Sequence, residues 1–182
     1  MLVPRTVLVT GFGPFLDVVD NPSGRAARAV DGRAVADLRI VGRELPVTYE
    51  GGPAAAVALA QELDAVAVVG LGVDQRTRTV DVETRAYNRA GRPDVEGHAP
   101  GVLEPGGPPL LYSNIDANRF AAALGARVDD DAGRYVCNAW LYKVARALLP
   151  ARQVVFVHVP TDGVDPDRLL AAIGATFGAP RA

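Results

Sequence analysis

Short β-branched runs alternate along the chain with alanine- and leucine-rich stretches of helical period, and that alternation confines the protein to the α/β class. Strands are expected at Val7–Thr10, Leu38–Leu45, Ala65–Leu71, Thr79–Ala86 and Gln153–Val159. Helices are expected at Pro22–Val30, Gly52–Leu63, Asp116–Leu124, Asn138–Leu149 and Asp165–Phe177. Repeated strand–helix–strand units predict a mostly parallel sheet covered on both faces. A length of 182 residues suits a single domain with its own core. From Arg89 to Pro109, "RAGRPDVEGHAPGVLEPGGPP", five prolines and five glycines leave no apolar period, which predicts a long excursion of the kind that often carries function.

A net charge of −2, with 22% charged residues, gives no basic footprint for nucleic acid, so small molecules or peptides are the expected partners. The opening "MLVPRTVLVTGFGPF" runs directly into a strand pattern without the features of a secretory signal, and no stretch is long and apolar enough to span a membrane. The expected location is the cytoplasm. Cys137 is the single cysteine and cannot form an intramolecular disulfide; with only His98 and His158 beside it, the ligand set of a zinc site is absent.

Cys137 directly precedes "NAWLYKVARALL", where Trp140, Leu141, Val144, Ala147 and Leu148 recur at helical spacing, so it is expected at or near a helix N-terminus. Such a place stabilises an anion and offers backbone N–H groups to an oxyanion. A small buried core residue is the competing explanation. His158 closes "QVVFVHVP", on one face with Val154 and Phe156, at the carboxyl end of a strand, where open α/β sheets bind ligands. A histidine that base-catalyses wants a carboxylate to orient it, and Asp81, Glu83, Glu96 and Asp162 each qualify by residue type. His98, in "EGHAPG", reads as a loop residue. "GFGPF" follows a strand, but Leu16 stands where a dinucleotide fingerprint needs its third glycine. Phe12 and Phe15 would instead form an apolar wall suited to a small ring, or simply pack in the core.

The opening "VLVTGFGPFLDVVDNPSGRAA", then "ETRAYN" with "RPDVEG" behind it, "AGRYVCNAWLY" and "VFVHVP" together resemble, in order, the type I pyroglutamyl peptidases, or pyrrolidone-carboxylate peptidases. The resemblance implies a three-layer α/β/α sandwich with an open, mostly parallel twisted sheet. It implies a thiol peptidase that removes N-terminal pyroglutamate, with Cys137 as nucleophile, His158 as general base and then acid, and Glu83 as the orienting carboxylate. Phe12 and Phe15 match the two phenylalanines lining the ring pocket, and Asn21 the asparagine supporting that loop. The resemblance further implies no metal or organic cofactor, a cytosolic location and commonly a homotetramer.

The chain departs from the pattern in three places. The loop after the third strand, of GLAPGR or GQAGGR type in relatives, reads "GLGVDQRTR"; Gly91 stands where relatives carry an arginine, with Arg92 displaced by one; and the stretch between Cys137 and His158 is shorter. The changed Gly72–Arg78 loop leads to an expectation of weaker discrimination between pyroglutamyl and prolyl substrates. The drifted loops leave open a cysteine amidohydrolase acting on another small cyclic or acyl amide, and from another class a non-catalytic or redox-sensing relative on the same scaffold.

Overall fold

The computed structural model describes residues 4–179. Inside its main sheet runs β1 (Arg5–Phe12), which is buried from Thr6 onward. Such a strand must be covered on both faces, and its side chains divide accordingly: Leu8 and Phe12 enter one core, Val7 and Val9 the other. Parallel neighbours flank it, β3 (Leu38–Leu45) on one side and β4 (Ala67–Val73) on the other, and β9 (Gln153–Val159) continues the parallel run beside β4.

Helices α2 (Gly51–Glu62) and α4 (Val136–Leu148) pack together on the face of Leu8, Val68 and Phe156. Helices α1 (Pro22–Val30), α3 (Ala117–Leu124) and α5 (Pro166–Phe177) cover the face of Val7, Val69 and Val157. The result is the expected three-layer sandwich. Three of the five helices open on the side-chain cap their sequence offers: Asn21 accepts from Ser23 N, Asp116 from Arg119 N, and Asp165 from Asp167 N. Among the described residues no helix is long and apolar enough to cross a membrane.

The sheet holds seven strands in the order β2-β3-β1-β4-β9-β5-β8, where β2 is Ala34–Val35, β5 Asp81–Glu83 and β8 Arg127–Asp129. It is mostly parallel, but β2 runs antiparallel to β3, and β5 antiparallel to β9. The continuous strand expected over Thr79–Ala86 is interrupted at Thr84, whose N–H and hydroxyl both donate to Asp129 O. Beyond that point β6 (Arg85–Tyr87) leaves the main sheet and pairs with β7 (Leu110–Tyr112) in a two-stranded ribbon. Period-two alternation continues through Thr84, so the sequence pattern does not register the change of partner. The excursion expected after Arg89 is present: an isolated bridge between Ala90 and Gly101 is its only strand-like pairing before β7.

Candidate active site

Helix α4 begins at Val136, two residues before the expected start, so Cys137 lies within its first turn. Tyr135, the N-cap, supplies no side-chain hydrogen bond, unlike the caps of α1, α3 and α5, and the earliest helical bond runs from Ala139 N to Tyr135 O. The amides of the first turn are therefore available to an anion. The thiol rests against the sheet where β4 has no side chain. A Cβ on Gly72 would stand 2.6 Å from Cys137 Sγ and 2.7 Å from Phe156 Cζ, and one on Gly70 2.5 Å from Phe156 Cδ2 and 2.6 Å from Trp140 Cζ3. Two bare positions on one strand thus let α4 approach closely and bring Cys137 over the residue paired with His158, since Gly72 faces His158 in the ladder.

His158 lies on the α4 face of the sheet and is 8% exposed. Its Nδ1 is 2.7 Å from Glu83 Oε1. The ladder explains which carboxylate serves it. Asp81 is directly opposite His158 and Glu83 is opposite Phe156, so Glu83 reaches the ring diagonally along the same face. Asp81 is already occupied: Arg127 Nε donates to it at 2.8 Å, and the hydroxyls of Thr77 and Thr79 each at 3.0 Å. Burial opposes ionisation of Asp81, yet Arg127 and the two threonines hold its carboxyl below the usual range. Burial instead dominates at Glu83 and pushes its carboxyl up, against the pull of His158, and Glu83 Oε2 is buried without a hydrogen-bond partner among the described residues. For His158, burial favours loss of the proton, but Cys137 and then Glu83 outweigh it and hold the imidazole up at about 10.

A cavity of about 620 Å³ opens over these groups at the carboxyl ends of β1, β4 and β9. Cys137, His158, Glu83, Phe12, Phe15 and Asn21 all line it. Phe12 is both wall and core: it is 4% exposed and its ring lies 6.4 Å from that of Phe156. Asn21 holds the loop between them, donating to Gly13 O at 3.0 Å and accepting from Ser23 Oγ at 2.8 Å. The changed loop lines the cavity too, through Val73, Asp74, Gln75 and Arg76, with Asp74 and Arg76 closed on each other by a double hydrogen bond. Glu96, Asp162 and His98 do not line it. His98 is the loop residue the sequence implied. It sits beside Asp94 in a cluster with Glu96, whose central carboxylate already accepts the N–H groups of Tyr49, Glu96 and His98 and so closes the loop.

The family profile of pyroglutamyl peptidase matches residues 5–170. The chain belongs to that family. It is 34% identical over 169 residues to the pyrrolidone-carboxylate peptidase of Cupriavidus pinatubonensis, a match covering 86% of this chain and 78% of the relative. To that of Mycobacterium marinum it is 35% identical over 170 residues, covering 85% and 76%. The crystal structure of Bacillus amyloliquefaciens pyroglutamyl peptidase I superposes with a TM-score of 0.84 over 93% of each chain at 22% identity. The pyrrolidone carboxyl peptidase of Thermococcus litoralis gives 0.82 over 93% of this chain and 90% of its own, at 23% identity. At such identities the superpositions speak for the fold alone.

Two residues that build this family member's site carry little signal of it in the sequence. Gly72 makes room for the thiol, but a glycine near a strand end carries no signal of what will approach it. Asn138, wholly buried, accepts from Tyr87 N at 2.7 Å and donates to Tyr87 O at 2.9 Å and Arg89 O at 3.0 Å, fastening the start of α4 to β6 and to the root of the excursion. An amide in an otherwise apolar helical stripe was the available clue.

Proposed function

We propose that this chain is a cysteine peptidase that removes pyroglutamate from the N-terminus of peptides, with Cys137 as nucleophile, His158 as acid and base, and Glu83 as the group that orients the imidazole. The observation that carries the reading is the 2.7 Å contact between Glu83 Oε1 and His158 Nδ1 beside a thiol at the start of α4. The contact fixes the ring and leaves Nε2 to serve Cys137. The thiolate of Cys137 attacks the scissile carbonyl carbon; a C–S bond forms, and the carbonyl electron pair moves to oxygen, where the first-turn amides of α4 receive it. The C–N bond then breaks as the imidazolium gives its proton to the departing amine, leaving a pyroglutamyl thioester.

Much of what holds the proton on His158 is Cys137 itself. Once the sulfur is acylated that hold is gone, the imidazole becomes a base, and it takes a proton from the water that hydrolyses the thioester. One group thus serves both halves of the cycle. The chemistry calls for neither metal nor organic cofactor. Phe12 and Phe15 offer the pyrrolidone ring its apolar wall, with Asn21 holding their loop in place. Family likeness further supports a cytoplasmic protein that assembles as a homo-oligomer, a tetramer in the commonest form.

Turnover of pyroglutamyl, prolyl and alanyl aminocoumarins tests the reading. Release from the pyroglutamyl substrate well above the other two is expected. Faster release from either of the others, or none from any, would contradict it.

A further inference from the structure

Three arginines line the cavity: Arg76, Arg92 and Arg134. Arg76 is paired with Asp74, and Arg134 with Asp131. Among the described residues Arg92 has no ion pair, and its side chain makes no hydrogen bond. Its guanidinium is nevertheless held, 3.8 Å from the centroid of the Tyr135 ring. Its main chain is fixed on both sides. Tyr49 Oη donates to Arg92 O at 2.6 Å, Tyr49 N donates to Asp94 Oδ2 at 2.8 Å, and Gly91 N donates to Arg134 O at 2.7 Å. Such a guanidinium presents several N–H donors in a fixed plane. Placed two residues from the nucleophile by way of Tyr135, it lacks only an acceptor.

The topology says which end of a substrate supplies one. His158 must reach the departing amine, so the leaving peptide lies on the β9 side of Cys137 and the acyl group on the side of β1 and β3. Arg92 is anchored on that second side. Its partner Tyr49 follows β3 and shares a core cluster with Phe12, Leu45 and Tyr135, and Phe12 pairs with Leu45 across the β1–β3 ladder. A carboxylate on the leaving peptide would point away from it. On the acyl side of a pyroglutamyl substrate the acceptor is the lactam carbonyl.

Building on the peptidase reading above, we propose that Arg92 donates a hydrogen bond to the lactam C=O of the pyroglutamyl ring and is the residue by which this chain tells pyroglutamate from proline. A proline ring has no such oxygen and forgoes the hydrogen bond, while the exposed guanidinium keeps its water. The recognition expected to suffer from the changed Gly72–Arg78 loop is thereby supplied from the opposite flank of the cavity.

The test compares the whole chain with Arg92→Met and Arg92→Lys; Arg92 is exposed, so neither change disturbs the core. Arg92→Met should lower kcat/KM for pyroglutamyl aminocoumarin by about tenfold to a hundredfold, chiefly through KM, as loss of a hydrogen bond from a charged donor does. The prolyl substrate should lose far less, and Arg92→Lys should recover part of the difference. In parallel, 2-pyrrolidone should protect Cys137 of the unaltered chain from iodoacetamide, and protect Arg92→Met at correspondingly higher concentration only. Equal losses on both substrates, or protection indifferent to Arg92, would overturn the proposal. If the unaltered chain turned over no aminocoumarin, the peptidase reading would fall, while Arg92-dependent protection by the lactam would still support this assignment; absence of protection from the unaltered chain would remove it.

Discussion

Asp81 and Glu83 lie two residues apart on one face of a three-residue strand, and residue type alone does not separate them. Their partners do. Arg127 and two threonines engage Asp81, whereas Glu83 has a buried bond to His158 and a second oxygen without a partner. Glu83→Gln should therefore keep the fold and slow kcat by roughly one to three orders of magnitude, less than removal of the nucleophile, because an orienting group acts through the base it supports. It should also change the pH profile. His158 is raised from its ordinary 6.5 to about 10, with Glu83 among the causes, so loss of the carboxylate lets the imidazole give up its proton at lower pH and moves the alkaline limb of activity toward neutrality. The stability linked to that proton has the corresponding sign: present in full below about 6.5, lost as pH rises toward about 10. Rates across pH for the two proteins check the shift, and an alkaline limb that stays in place would detach Glu83 from His158.

At the scale of elements, α4 turns a piece of core into a site. Its apolar stripe was readable, and Trp140, Leu141, Val144 and Leu148 are buried as the spacing implies. Ala147, assigned to the same stripe, faces solvent, and Ala145 and Tyr142 take inner positions, because the helix packs against both α2 and the β6–β7 ribbon. What the periodicity did not carry is the fastening of its first turn. Asn138 joins α4 to β6 by two hydrogen bonds and to Arg89 just beyond it by a third, so Asn138→Ala leaves main-chain groups of Tyr87 and Arg89 unpaired. A loss of at least about 2 kcal/mol in urea unfolding is expected. An unchanged midpoint would mean that the α4 start is held elsewhere.

Across the whole molecule, the chain passes from β1 to β3 on one side and then back across to β4 on the other, and the cavity opens at the carboxyl ends of the strands at that reversal. The long parallel strands were legible because each holds a run of β-branched or other apolar residues; the short strands β2 and β8 and the ribbon were not, since two or three residues carry no period. The partners of the site were legible as residue types at an edge, with Cys137 at a helix start and His158 at a strand end. Their meeting depends on long-range register and on the bare backbone at Gly70 and Gly72, which no local pattern encodes. The central claim is that this meeting makes Cys137 an acyl acceptor. The most direct measurement is to quench the protein with acid during turnover of a pyroglutamyl substrate and map the adduct by peptide mass spectrometry. The account predicts a pyroglutamyl thioester on Cys137, and neither adduct nor turnover in a folded Cys137→Ala protein; turnover that persists in that variant would contradict it.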